Sequence, residues 1–260
     1  MRICWIHPTA RTAALEDLWS AIETNIAAIT EKDTTIHFRF PAMSTGFTRS
    51  LYAEHINSVL MLEEALKAQD EGFDGVFLGC WNDALWEARE ILDIPVASVG
   101  EQSMLASLAM ARKFAVITVS DKTRVAIERD IMAYGLLDRA INNPVRTIKP
   151  YSSAQLLMES VTAPEKQFIP SFEKVAKQCI DDGAEIILVG CTYYGTLLRK
   201  AGYRHIPGTQ VPVMDSSAVA IKYLENMINI HQKLAMVKSR ALTFAPPPAE
   251  QRDKSRNLFR

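Results

Sequence analysis

The feature that most restricts how this chain can fold is an internal duplication. Val76-Phe77-Leu78-Gly79-Cys80 returns as Ile187-Leu188-Val189-Gly190-Cys191, a shift of 111 residues. The same shift carries Ile6 to Ile117, Ala65 to Ala176, Asp70 to Asp181 and Gly72 to Gly183. After an insertion around 202–205, Ile94-Pro95-Val96 is matched by Val211-Pro212-Val213. A repeat of this kind means one supersecondary arrangement built twice, here over about 1–112 and 113–225. In each copy a short apolar run of strand character ends at Gly-Cys and a helical pattern follows, so a thiol stands where a buried strand hands over to a helix. Open α/β sheets bind their ligands at such strand ends. Two halves that each present one cysteine can face each other across a cleft.

Periodicity fills in the rest. In the first copy Ile3–Ile6, Thr35–Phe40, Gly75–Leu78 and Pro95–Val99 read as strands, the last ending at Gly100-Glu101. Helical stripes run over Leu15–Ile29, Ile56–Asp70 and Asp83–Leu92, with a short helix through Leu105 and Ala109. The second copy offers strands at Phe114–Val119, Val145–Ile148, Glu185–Val189 and Val211–Met214. Its helices are Thr123–Tyr134, Phe168–Asp182 and Ala218–His231, the last capped by Asp215-Ser216-Ser217. Alternating strand and helix predicts an α/β fold of two pseudo-symmetric lobes, each a mostly parallel sheet with right-handed crossovers. The lobes are expected over 1–112 and 113–238, with the last helix able to pack on the first lobe. The Pro-rich, charged 239–260 is expected to be disordered or to lie along a neighbouring subunit. The polar Met43–Ser50 connection has the composition of either a mobile cover or a plain surface loop.

An apolar fraction of 48% and a net charge of −1 call for neither a polyanionic partner nor a membrane surface. No apolar run approaches the ~18 residues of a membrane span, and the chain enters a strand pattern directly at Arg2, so a cytoplasmic location is expected. There is no basic stripe with interleaved aromatics to suggest nucleic acid. The four cysteines, at 4, 80, 179 and 191, show no zinc-type spacing, so no metal is expected. Cys4 and Cys179 fall inside apolar patterns, where cysteine is usually a small buried hydrophobe. That leaves Cys80 and Cys191.

A cysteine at the start of a helix has backbone N–H groups and the positive end of the helix dipole beside it, which favours thiolate relative to an ordinary pKa of about 8.5. The same N–H groups can hold a carboxylate or a developing enolate oxygen. A thiolate on one face of a substrate and a thiol on the other suit proton transfer at a carbon next to a carbonyl. One removes the proton and the other returns one to the opposite face. Trp81 and Tyr193 follow the cysteines and are expected to line the pocket, and Thr192 offers a hydroxyl to any ligand at Cys191. Glu101 and Asp215 are expected to fix strand-end loops. His7 stands beside the cleft and Arg49 in the connecting loop.

With these residues in view, the chain resembles the aspartate/glutamate/hydantoin racemase superfamily, and within it the hydantoin and allantoin racemase branch. The carriers are Leu78-Gly79-Cys80, Val189-Gly190-Cys191, the opening Ile6-His7-Pro8-Thr9, Val96–Glu101 and Val211–Ala218, within a likeness covering about 1–230. The resemblance implies a cofactor-independent racemase with Cys80 and Cys191 as the acid/base pair, a small-molecule substrate and a homo-oligomer. It further implies a cleft lined by the strand-end loops Pro8-Thr9 and Ser120-Asp121; Trp81, Asn82, Thr192 and Tyr193, which follow the two cysteines in the chain, are expected to bind substrate there. The chain departs from the branch where Trp81-Asn82-Asp83-Ala84 replaces an aromatic, Gly, Asp and Pro. It departs again where Thr192-Tyr193-Tyr194 replaces small residues, and where His7 and Thr9 replace Asn. Two other readings stay open: an isomerase of the maleate isomerase type, with one cysteine as nucleophile, and a two-lobed binding protein in which the thiols are incidental.

Overall fold

The computed structural model describes residues 1–46, 49–81, 84–149 and 154–257. Phe47, Thr48, Asn82 and Asp83, on which parts of the loop and pocket expectations fall, lie outside the described residues. The first half contains β1 (Arg2–Ile6), α1 (Glu16–Ala27), β2 (Thr35–Arg39), α2 (Leu51–Asp70), β3 (Gly75–Leu78), α3 (Leu85–Ile91), β4 (Val96–Ser98) and α4 (Val99–Ser107). The second contains β5 (Phe114–Thr118), α5 (Asp121–Ala133), β6 (Ala140–Thr147), α6 (Ala154–Thr162), α7 (Phe168–Asp181), β7 (Ile186–Val189), α8 (Thr192–Lys200) and β8 (Val213–Met214). α9 (Ser216–Leu234) and α10 (Ala249–Arg256) follow.

The strands form two four-stranded parallel sheets, in the order β2-β1-β3-β4 and β6-β5-β7-β8. The fold is therefore α/β with duplicated sheet topology. The duplication reaches single hydrogen bonds: Gly79 N donates to Ile6 O at 2.7 Å and Gly190 N to Ile117 O at 2.8 Å. Likewise Asp74 N donates to Arg2 O and Glu185 N to Lys113 O, while Phe73 N donates to Ala68 O and Ala184 N to Cys179 O. β1, β3, β5 and β7 are buried almost throughout, as parallel strands covered on both faces must be.

The glycine before each cysteine is required by close approach, not by its φ. A Cβ on Gly79 would meet the Trp5 indole and Ile6 O, and one on Gly190 would meet Val116 Cγ1 at 2.8 Å. Each Gly-Cys turn is thus pressed against the neighbouring central strand, which sets the height at which its thiol emerges.

Several boundaries differ from the sequence expectation. β4 stops at Ser98, and Gly100-Glu101 lie inside the first turn of α4 rather than in a loop. There Gly100 N donates to Trp81 O at 2.6 Å, so the glycine supports the turn that carries Cys80. β6 starts at Ala140, five residues early, and passes through Asn143 at φ 50° with a register shift. α6 has no counterpart in the sequence reading. α9 packs on β3, β4 and α4, sealing the first sheet with Ile221, Leu224 and Ile228. Beyond it, Arg240 donates to the carbonyls of Arg89, Glu90 and Leu92, and Arg256 of α10 pairs with Glu63 of α2 at 3.2 Å.

Candidate active site between the two sheets

A cavity of about 410 Å³ opens at the carboxyl ends of both sheets. His7, Pro8 and Thr9 enter it from the end of β1, Gly79, Cys80 and Trp81 from β3, and Val119 from β5. Gly190, Cys191, Thr192 and Tyr193 enter from β7 and the start of α8. α1 contributes Trp19 and Ile22, α2 contributes Glu54 and Asn57, and α5 contributes its face from Thr123 to Asp130. Cys80 and Cys191 are partly exposed into this one space, whereas Cys4 and Cys179 are buried elsewhere.

The two thiols are not mounted identically. Cys191 is the N-cap of α8, and the backbone N–H groups of Tyr194 and Tyr193 at the start of that helix favour its thiolate. Four residues separate Cys80 from α3, which begins only after Ala84 in a left-handed conformation (φ 53°). The Cys80 turn is held instead by α4, whose Val99 N donates to Cys80 O at 3.3 Å. Among the described residues, a helix start directly behind the thiol is found for Cys191.

At Cys191 the N–H groups of the helix start favour thiolate as expected, but they do not set the net shift. Burial pushes the thiol above its ordinary value and outweighs the two N–H groups and the Arg49 guanidinium, which act the other way. Tyr193 is raised in the same manner, by burial first and then by the charges of Cys191 and Cys80, with Arg49 opposing. The phenol thus lies within electrostatic reach of both thiols.

Thr192 ties the two turns together. Its hydroxyl donates across the cleft to Gly79 O at 3.4 Å and accepts from Ser217 Oγ at 3.2 Å. The carbonyl of Gly190 is held by Thr118 Oγ1 at 2.9 Å. Each Gly-Cys turn therefore has its glycine carbonyl fixed by a threonine, but in the first turn that threonine comes from the other half.

The remaining expectations divide. Pro8, Thr9, Trp81, Thr192 and Tyr193 all line the cavity with the cysteines. Ser120 does not: its hydroxyl accepts from Thr123 N in a capping box at the start of α5, leaving Val119 and Thr123 to face the cavity. Tyr194 is fully buried against Phe168 at 4.8 Å and shapes no pocket. Asp215 caps α9 through Ala218 N at 3.2 Å and accepts from Asn25 at 3.1 Å; burial raises its pKa. Glu101 is paired with Arg89. Trp19 and Asn57 were missed because they read as ordinary helix packing, and the α5 face from Thr123 to Asp130 because its charged residues read as a solvated helix surface. Among the described residues no cluster of three His, Cys, Asp or Glu is arranged to hold a metal ion, and no helix is long and apolar enough to cross a membrane.

The chain is similar over most of its length to known racemases. The hydantoin racemase of Pseudomonas sp. (strain NS671) is 27% identical over 245 residues, covering 92% of this chain and 90% of that protein. The structure of an allantoin racemase from Pseudomonas fluorescens superimposes with a TM-score of 0.76 at 20% identity, covering 95% of this chain and 97% of that one. One from Klebsiella pneumoniae gives 0.75 at 21%, covering 95% and 94%. The family model for Asp/Glu/hydantoin racemases matches residues 12–224. The chain thus belongs to the Asp/Glu/hydantoin racemase family and is an isomerase of the racemase type.

Proposed function

We propose that this racemase inverts a carbon next to a carbonyl in a small substrate, most readily a hydantoin-type cyclic amide, by proton transfer between Cys80 and Cys191 without a cofactor. The observation that carries the reading is that two Gly-Cys turns, each held by the same contact to a central strand, open into one cavity while the other two cysteines do not. One thiolate removes the α-proton and the thiol opposite protonates the other face, so the roles exchange for the other enantiomer. The carbanion's charge moves onto the neighbouring carbonyl oxygen, where N–H donors stabilise it. Two lobes, 1–112 and 113–238, that close on the substrate, and assembly into a homo-oligomer in the cytoplasm, belong to the same proposal.

The test is loss of optical rotation from single enantiomers of 5-substituted hydantoins, allantoin and acidic amino acids, with Cys80→Ser and Cys191→Ser alongside. Racemisation of a hydantoin that either variant abolishes supports the reading. A covalent substrate adduct on one cysteine, seen by intact mass, replaces it with nucleophilic isomerisation. Ligand binding that survives both substitutions without turnover replaces it with a binding role.

A further inference from the structure

Racemisation between two opposed thiols makes a demand that the thiols themselves do not meet. When one thiolate takes the α-proton, the C–H electron pair becomes the C=C bond of an enolate and negative charge collects on the former carbonyl oxygen. That oxygen lies in the plane of the enolate, between the two faces that the sulfurs approach. A group that stabilises it in both directions of reaction must stand within reach of both cysteines, and must be a donor with no other bond to make.

Tyr193 meets these conditions. It lines the cavity from the first turn of α8, two residues after Cys191. Its ring packs against two separate apolar clusters and meets Trp19 at 5.5 Å, so the phenol is held in place before substrate arrives. The charges of Cys191 and Cys80 both act on its hydroxyl, as does that of Arg49. Among the described residues that hydroxyl has no hydrogen-bond partner. Burial and the two cysteines hold it protonated well beyond the ordinary phenol range, so it remains a donor at any pH where a thiolate forms.

Other polar groups of the cavity are less well placed. The Thr192 hydroxyl is committed to Gly79 O, and that of Thr123 to Ser120 O. His7 Nε2, Trp19 Nε1 and Asn57 Nδ2 lack partners, but these residues are at most 2% exposed and present little surface to a ligand. Arg49 and Arg129 bring positive charge to the cavity wall, and Arg49 acts on Cys191 as well as on Tyr193. Charge acting at a distance favours any anion, whereas a hydrogen bond selects the one oxygen on which the charge appears.

We propose that Tyr193 is a third catalytic residue, whose phenol donates a hydrogen bond to the enolate oxygen that forms between Cys80 and Cys191. The phenol keeps its proton throughout. One sulfur gains the α-proton, the other gives its own proton to the opposite face, and the electron pair returns from the enolate to the new C–H bond. The inference rests on the racemase reading for the identity of the reacting carbon.

The test compares Tyr193→Phe, which keeps the ring against Trp19, with the unaltered protein on single enantiomers of 5-isobutylhydantoin and 5-phenylhydantoin. The phenyl ring of the second compound shares the negative charge, so less of it reaches the oxygen. Loss of the phenol is expected to lower kcat about a hundred-fold for the isobutyl compound, with KM changed by less than about three-fold, and to lower it clearly less for the phenyl compound. Equal or reversed losses on the two compounds, or a loss confined to KM, overturn the donor. Calorimetry alongside measures binding of barbiturate, a planar cyclic imide that is itself an enolate at neutral pH. It is expected to bind the unaltered protein at least roughly ten-fold tighter than neutral hydantoin, and to lose about ten-fold in Tyr193→Phe. Barbiturate held no tighter than hydantoin overturns the proposal even where the variant fails to fold. Should the unaltered protein racemise neither compound, the racemase reading falls on its own, and the barbiturate comparison decides the donor. Affinity lost with the phenol keeps it; affinity unchanged or absent overturns it.

Discussion

Replacing Gly79 by Ala tests the arrangement that sets the height of Cys80. The added Cβ would lie 2.7 Å from Ile6 O and 2.9 Å from Trp5 Cδ1, with Trp5 Nε1 nearer still. Neither neighbour can retreat. Ile6 is held in register between Arg39 and Leu78, and Trp5 is fully buried with Phe77 at 4.3 Å and Phe38 at 5.6 Å from its ring. Overpacking of a core typically costs about 1–3 kcal/mol, and with backbone and indole both obstructed the upper end applies, about 3 kcal/mol. Against a total stability of roughly 5–15 kcal/mol the protein still folds. Gly190→Ala meets Val116 Cγ1 at 2.8 Å, Thr118 Cβ at 3.1 Å and Ile117 O at 3.2 Å, a milder crowding than at Gly79, so about 1–2 kcal/mol is expected. Gly72→Ala is the control: φ is +76° with nothing within 4 Å, and only the left-handed backbone costs, about 1 kcal/mol. Urea unfolding followed by tryptophan fluorescence reads all three, and the Gly79→Ala midpoint falls by roughly 1 M. A Gly79→Ala protein no less stable than Gly72→Ala refutes the close approach and the account of how Cys80 is placed.

Thr192→Val removes the hydroxyl that joins Gly79 O to Ser217; stability falls by about 1 kcal/mol, and kcat falls about a hundred-fold with little change in KM, because the two thiols lose their fixed separation. Steady-state kinetics checks this, with Thr192→Ser expected to restore most of the rate. His7 links folding to acidity. Its folded pKa of about 3 lies below the unfolded value of about 6.5, so its contribution is complete above pH 6.5 and is lost as pH falls toward 3. Between pH 7.5 and 5.0 the unaltered protein should lose about 2 kcal/mol more stability to urea than His7→Gln does. For catalysis, transfer between the cysteines needs one thiolate and one thiol, so the raised Cys191 thiol bears on the alkaline limb of kcat/KM, where the second thiol loses its proton, and holds that limb above the ordinary thiol value. Arg49→Met, which removes a charge favouring thiolate, moves that limb further up.

Much of this was legible in the sequence, for physical reasons that differ between elements. Buried parallel strands need continuous apolar runs, so β1, β3, β5 and β7 stood out, and the shift of 111 residues that pairs Gly79 with Gly190 also pairs their hydrogen bonds to Ile6 and Ile117. Elements that depend on tertiary contacts were read less well. Gly100 looked like a chain breaker, yet it sits in the first turn of α4, where its N–H reaches Trp81 O. The strand was expected to start at Val145, after Pro144, yet β6 already runs through Asn142-Asn143-Pro144 with one left-handed residue. At the site, residues adjacent to the cysteines were found from their neighbours in the chain. Trp19 and Asn57 were not, because only the folded structure shows that their buried polar atoms lack partners. Ser120 was assigned to the cleft by symmetry with Thr9, but an N-cap uses its hydroxyl first.

The duplicated turns explain why one scaffold can treat mirror-image substrates alike, and the differences between the turns explain why the two directions need not be equally fast. Cys191 has a helix start behind it, and the Cys80 turn is held by N–H groups of α4. The most direct test of transfer between two thiols is where deuterium appears early in a reaction run in deuterated water. Starting from either enantiomer of a hydantoin substrate at low conversion, the account requires deuterium at the α-carbon of the product enantiomer and almost none in the substrate that remains. Equal labelling of remaining substrate and product from the first time points would mean that a single base serves both faces, and would contradict it.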